Sequence, residues 1–237
     1  MRVDDPAFVR RQYETEANLA ARKAVYVSSE GRSALDATFD AVAEARPQRV
    51  LEVGGGEGEL AGRIVAELGA ELVGVDQSER MVEVQRTNGL DARVADVQEL
   101  PFADEEFDAV LAAWMLYHVP DLDRALAEIA RVLRRTGRLV AVTNAIDHMQ
   151  ELWDLAGREP SIRQFTFRSE NGARALRRHF VHVEARDVQG WLTMDDEAVR
   201  GYAESWDDLA PALAALPLEQ PLRVRRHSTV FVAEKAA

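Results

Sequence analysis

Residues 50–60 read VLEVGGGEGEL: an apolar run carrying one acid, Glu52, which opens into Gly54, Gly55, Gly56 and Gly58 ahead of a helical pattern. Glycine has no Cβ, so the backbone turns sharply there and a bulky ligand can lie against bare peptide. A strand–turn–helix of this kind aims free N–H groups at that ligand, which makes a nucleotide-sized pocket at a strand's carboxyl end. Two registers compete. Gly56, Gly58 and Ala61 fit G-x-G-x-x-A with Asp76 about 20 residues on, as in a dinucleotide site. Glu52, Gly54, Gly56 and Gly58 fit E-x-G-x-G-x-G, whose first glycine follows Val53 directly, where the turn begins. A pyrophosphate needs the helix N-terminus free, and Glu57 and Glu59 put two carboxylates there. They complement the helix dipole but repel a dianion, so an uncharged or cationic ligand suits the turn better.

Other chemistry-bearing side chains also follow apolar runs. Asp76 ends LVGV, where a carboxylate accepts both hydroxyls of a ribose; its alternative is to cap the helix at 78–88, a role open to Ser78. His118 lies in the turn H-V-P-D, which ends at Asp121, and His148 lies in NAIDHMQEL beyond a later strand. Each is a candidate general base, and such a base makes a rate titrate near neutral pH. For His118 the competing role is local backbone bonding ahead of the next helix. There is no cysteine, hence no thiolate nucleophile, disulfide or zinc–thiolate site. No compact His/Asp/Glu set stands at ligand spacing, so no metal is expected.

The segments VLEVGGGEG, VGVDQSERMVEVQ, ARVADVQELPFADEEFDAVLAAWMLYHVPD and RALAEIARVLRRTGRLVAVT stand in that order. With them the chain resembles the class I S-adenosylmethionine-dependent methyltransferases, in the small-molecule branch of the methyltransferase type 11 kind, strongly over 47–145 and loosely beyond. One departure is that Gly55-Gly56-Glu57 stands where the family usually has cysteine-glycine-threonine. The resemblance implies S-adenosylmethionine as cofactor, with S-adenosylhomocysteine as product. A sulfonium without phosphate agrees with the acidic turn. It further implies that Glu52 holds the glycine turn and the cofactor's methionine end, and that Asp76 receives the ribose. Gln77 and Met81 then pack the adenine, Asp96 accepts its N6–H, and the Val97 N–H, with Gln98 behind, meets the ring. The backbone at Ala113 accepts the methionine ammonium while Trp114 walls the site, core packing being the alternative for that ring. Tyr13 and Arg22 in the N-terminal helix close over the cofactor, Arg22 toward its carboxylate, with a helix surface as the competing role. Methyl transfer from a sulfonium is an in-line displacement in which positioning dominates; His148 is ranked ahead of His118 as base.

These residues need a frame to hold them. At 237 residues the chain suits one α/β domain. Apolar β-branched runs at 49–53, 72–75, 91–95, 107–113 and 138–143 alternate with helical spacing at 58–68, 78–88 and 121–134. That pattern predicts a parallel sheet covered on both faces, its strand ends sharing one rim. Helices are predicted at 6–29, 31–45, 147–157, 170–179 and 195–215, and strands at 180–192 and 224–233. With what the resemblance implies, the expected fold is α/β: a Rossmann-like, seven-stranded, mostly parallel sheet whose last two strands, as in that family, form a hairpin, plus a helical cap. A single domain is expected over 1–237, with an N-terminal cap at 1–45, a cofactor core at 46–145 and an acceptor-side half at 146–237 that includes a lid at 195–215.

The net charge of −12 opposes a nucleic-acid substrate, which needs clustered cations; the best candidate basic patch is Arg223, Arg225, Arg226 and His227, whose competing role is the solvated face and start of a closing strand. No apolar stretch reaches the roughly 18 residues of a membrane span and no export signal is legible. A cytoplasmic protein acting on a small-molecule substrate is expected, its oligomeric state open. A nicotinamide reductase is disfavoured by the acidic turn and by the lack of a Tyr-x-x-x-Lys pair in a chain whose lysines are Lys23 and Lys235. An RNA or tRNA methyltransferase and a non-catalytic cofactor-binding partner subunit remain as alternatives.

Overall fold

The computed structural model describes residues 4–12, 17–206, 209–213 and 221–235. The β-branched runs form β1 (Ser29–Glu30), β2 (Arg49–Val53), β3 (Glu71–Asp76), β4 (Asp91–Val94), β5 (Phe107–Ala113), β6 (Leu133–Asn144), β7 (His182–Met194) and β8 (Leu222–Glu234). They build one sheet in the order β1-β7-β8-β6-β5-β2-β3-β4. Strands β2 to β6 pair in parallel, whereas β8 runs antiparallel to both β6 and β7. The helices are α1 (Pro6–Gln12), α2 (Ala17–Ala24), α3 (Ala34–Ala43), α4 (Glu59–Leu68), α5 (Glu79–Thr87), α6 (Leu122–Val132), α7 (Gln150–Leu155), α8 (Ser169–Leu176), α9 (Asp196–Glu204) and α10 (Leu209–Leu213).

Residue alternation along the central strands divides the core between the two faces. Leu51, Val53, Val110, Leu139 and Phe231 pack with Leu126 and Ile129 of α6 and Leu176 of α8. Their neighbours Val50, Ala109, Leu111, Val140 and Val230 pack with Val42 of α3 and Ile64 of α4. Each fully buried Leu, Ile or Val stabilises the fold by about 1.5–3 kcal/mol, so a one-residue slip of any central strand would expose a whole face. A third cluster, with Trp153, Leu192, Met194, Val199, Tyr202 and Val224, packs α7, α9 and α10 over the β7–β8 end of the sheet.

The α/β class and the mostly parallel sheet agree with the sequence reading, but the sheet has eight strands where seven were expected. The extra one is β1, which begins at Ser29, the last residue of the predicted helix 6–29. That helix is instead α1, α2 and a 3₁₀ turn at Val25–Ser28, after which Ser29 and Glu30 pair with Leu192 and Trp191 of β7. The long edge of β7 offers a ladder, and pairing there overrides the helical spacing. The predicted lid at 195–215 divides into α9 and α10; residues 207–208 and 214–215 lie outside the described ones, as does Tyr13.

Candidate active site

Three glycines shape the turn after β2: Gly54, Gly56 and Gly58 have φ of 63°, 55° and 80°, a left-handed backbone that side chains resist. Gly58 is the N-cap of α4. Glu52, next to last in β2, lies beneath them, 1% exposed, and a Cβ on residue 55 would overlap its carboxyl group. Burial, and then the charge of Asp76, push the Glu52 carboxyl up to about 8, and its Oε2 has no hydrogen-bond partner.

Asp76 lies at the end of β3 and accepts from the backbone N–H of Ser78 at 2.9 Å and of Gly56 at 3.4 Å. Burial raises its pKa against the pull of these N–H groups. The cap of α5 is Ser78, whose hydroxyl accepts from Met81 N at 3.3 Å, which leaves the Asp76 carboxylate facing the glycine turn. Glu57 and Glu59 meet the ammonium of Lys23 at 2.9 and 2.6 Å, so α2 offsets one of the two charges there.

A cavity of about 500 Å³ runs from this turn across the carboxyl rim. Of the residues singled out from the sequence, Glu52, Gly54, Gly56, Asp76, Gln77, Val97, Ala113, Trp114, Arg22, His118 and His148 line it. Gly58, Met81, Asp96 and Gln98 do not. Met81 is fully buried in the core. Asp96 is exposed and accepts from Gln98 N at 2.9 Å. The Gln98 side chain also donates to Asp96 and accepts from Asp121 N at 3.1 Å, so this pair ties its loop to the N-cap of α6.

Trp114 has φ of 51°, a strained value for a large residue, held in place by Nε1–H donating to Asn144 Oδ1 at 2.9 Å. Ser228 Oγ donates to the same oxygen at 2.8 Å. Arg22 turns toward the cap. Its Nε and Nη2 donate to the Ser205 hydroxyl at 3.2 Å and carbonyl at 2.8 Å, it bonds Gln12, and it stacks 4.4 Å over the Trp206 ring.

His148 is 5% exposed. Its Nδ1 lies 3.1 Å from both the backbone N and O of His227, and its Nε2 is 3.1 Å from the Tyr26 hydroxyl. Burial drives its pKa down to about 4, against the opposing effects of the His227 backbone and Asp147. The expectation of a rate that titrates near neutral pH is corrected accordingly for this residue: His148 is already neutral well below pH 7. The His118 ring lies tilted against Tyr117, 4.4 Å between centroids, and Tyr117 stacks on Phe165 at 4.4 Å.

Several residues of the site carried no mark in the sequence reading. Gln85 on α5 donates to Gly56 O at 2.8 Å and occupies the space above Gly74, where a Cβ would overlap its amide oxygen. A glycine inside the β-branched run of β3 was the available signal. Asn144 and Tyr26 also line the cavity, as does Arg226, marked in the sequence only as part of a basic patch. Among the described residues no group of three His, Asp or Glu is placed to hold a metal ion, and no helix is long and apolar enough to cross a membrane.

Residues 51–141 match the family model described as "Methyltransferase domain". Over 99 residues the chain is 40% identical to methyltransferase GfsG of Streptomyces halstedii, covering 38% of this chain and 36% of that protein. The chain spans about half or less of the length of the curated relatives it matches. Among solved structures, the phosphoethanolamine N-methyltransferase 2 of Haemonchus contortus, in complex with phosphomonomethylethanolamine and S-adenosylhomocysteine, superposes with a TM-score of 0.66 at 18% identity over 98% of this chain and 60% of that one. The YcgJ protein of Bacillus subtilis does so at 0.60 and 19% identity, over 85% and 99%. At such identities these two structures speak to the fold alone.

Proposed function

With residues 51–141 forming a methyltransferase domain of the class I S-adenosylmethionine-dependent type, we propose that the chain moves the cofactor's methyl group to an oxygen or nitrogen of a small-molecule acceptor. The observation that carries this reading is one continuous cavity from the glycine turn and Asp76 to Tyr26 and His148. The residues fit such a cofactor. A buried carboxyl oxygen of Glu52 lacks a partner in the cavity wall, and the cation at the turn, Lys23, is already held by Glu57 and Glu59, which suits an ammonium or sulfonium and not a pyrophosphate. Bound there, S-adenosylmethionine supplies an electrophilic methyl group for in-line displacement.

The chain's own residues then position and deprotonate. Asp76 receives the ribose hydroxyls, Gln77 and Val97 wall the adenine, and Glu52 with the backbone of Gly54 and Ala113 holds the methionine end. At the far end neutral His148 is locked to the His227 backbone, and its Nε2 takes the acceptor's proton through the Tyr26 hydroxyl. The described residues of 1–30, 147–170 and 195–215 form the cap. The Arg22–Ser205 and Lys23–Glu57 contacts fasten it to itself and to the cofactor turn, which excludes water from the reacting centre.

Methyl-labelled cofactor offered with a panel of phenols, amines and hydroxy acids tests the reading. Label should enter at least one small acceptor and no tRNA. Asp76→Ala should weaken S-adenosylhomocysteine binding roughly ten- to a hundredfold, from about 1.5–3 kcal/mol per charged hydrogen bond, with the unliganded thermal midpoint little changed. His148→Gln should lower kcat by roughly 10²-fold or more at unchanged cofactor affinity. Cofactor binding with no transfer to any acceptor would assign the chain to the non-catalytic partner class.

A further inference from the structure

We infer that the methyl acceptor carries an anionic group, a carboxylate or a phosphate monoester, and that Arg226 receives it; the inference rests on the methyltransferase reading above. Strand β8 opens with three arginines in LRVRRHS, and their surroundings differ. Arg223 meets Glu30 at 2.9 Å. Arg225 meets Asp147 at 3.1 Å and Glu151 at 3.9 Å. Both are exposed, and both have acids. Arg226 points to the other face of the strand and is 2% exposed, yet no carboxylate among the described residues pairs with it. Its Nη2 donates to two neutral carbonyls, Glu30 O at 3.1 Å and Arg32 O at 2.6 Å, and its buried Nε has no partner. Dipoles alone answer a full positive charge here, a costly arrangement unless a counter-charge arrives.

The path to this position is built into the sheet. Gly190 of β7 stands opposite Arg226, and a Cβ there would come within 2.7 Å of Nη2 and overlap the Glu30 carbonyl. The guanidinium thus crosses β7 where a side chain is missing and forms part of the cavity wall. Because Asn144 at the end of β6 pairs with Ser228, Arg226 stands two residues beyond the rim, on the acceptor side. The acids that line the cavity, Glu52, Glu57, Glu59 and Asp76, belong to β2, the turn and start of α4 that follow it, and β3. Strand β2 is separated from β8 by β5 and β6, or roughly 14 Å at about 4.8 Å per strand. Near Arg226 the wall offers Ser29, Ser228, Tyr26 and neutral His148, none of which is negative. The counter-charge therefore comes with the ligand, whose apolar body lies against Trp153, Tyr202 and Trp206. Charge-assisted bonds from arginine to carboxylate or phosphate are among the stronger polar contacts.

The test uses S-adenosylhomocysteine-loaded protein and two matched pairs of probes, phenylacetate against phenylacetamide and phenyl phosphate against phenol. At least one anion should bind roughly tenfold or more tighter than its neutral partner, and the one with the larger preference identifies the group. Arg226→Gln should erase the preference, Arg226→Lys should retain most of it, and both should bind S-adenosylhomocysteine as the wild type does. If the Gln variant does not fold, the wild-type pairs and the Lys variant still decide. Equal affinity within both pairs, binding of neither anion, or an intact preference in Arg226→Gln overturns the inference. A loss of S-adenosylhomocysteine affinity in Arg226→Gln also overturns it, by giving the guanidinium to the cofactor's own carboxylate. Failure of the methyltransferase reading shows separately, as wild-type protein that does not bind S-adenosylhomocysteine at all.

Discussion

Glu52 is the residue whose state most depends on what lies beside it. Held near 8 by burial and by Asp76, its carboxyl keeps a proton at pH 7 in the unliganded protein. A cation placed against the unpartnered Oε2 favours the carboxylate, so cofactor binding should expel that proton. Calorimetry of S-adenosylmethionine binding at pH 7, in two buffers of different ionisation enthalpy, should therefore report net proton release. Glu52→Gln should abolish the release and weaken binding roughly tenfold; heats that do not depend on buffer would remove Glu52 from the methionine end. The position of Glu52 was legible because a strand end and three glycines fix it. Its protonation was not, since that depends on burial and on Asp76, which comes close only in the folded sheet. His148 gives the same lesson: its place beyond β6 was readable, but its neutral state follows from packing under Tyr26 and the His227 backbone.

Among the elements, α5 does more than cover the sheet. Its Gln85 is fully buried and holds the carbonyl of Gly56 through the gap left by Gly74, so the glycine turn is braced from behind by a helix far along the chain. Gln85→Leu keeps the volume and removes the bond. It should cost about 1–3 kcal/mol of stability through the unpaired carbonyl and weaken S-adenosylhomocysteine binding severalfold, measured by thermal unfolding and calorimetry. Unchanged affinity in a folded variant would show that the turn keeps its shape unaided. The central strands and α3 to α6 were readable because β-branched runs and capping residues such as Ser33, Ser78 and Asp121 punctuate them. Strand β1 was not, because two residues carry no period of their own and take their form from the β7 edge. Gln85 and Arg226 stayed hidden because polar residues in a charged helix or an arginine run look like surface.

For the whole molecule, Glu52 and His148 set opposing dependences of stability on pH. Glu52 has its pKa raised, so its contribution is whole below about 4.5 and is lost as pH rises toward 8. His148 has its pKa lowered, so its contribution is whole above about 6.5 and is lost as pH falls toward 4. The slopes offset one another between about 4.5 and 6.5, leaving Glu52 to act alone above that. From pH 6.5 to 8 the unliganded protein should lose about 2 kcal/mol, at 1.36 kcal/mol per unit. The thermal midpoint should fall over that range in the wild type and stay level in Glu52→Gln; parallel curves would mean that some other group governs the alkaline side. The sheet carries a different consequence. Strand β8, last in sequence, is interior in space, between β6 and β7. Chains are made from the N-terminus at about 5–20 residues per second, so β2 to β6 can associate while later residues are still being added. Until residues 222–234 emerge, β6 presents an unpaired edge, and β7 with β1 has no strand to join it to the sheet. An unpaired edge is a feature through which chains associate wrongly, and the interval between synthesis of β6 and of β8 is the one in which the β6 edge stands open.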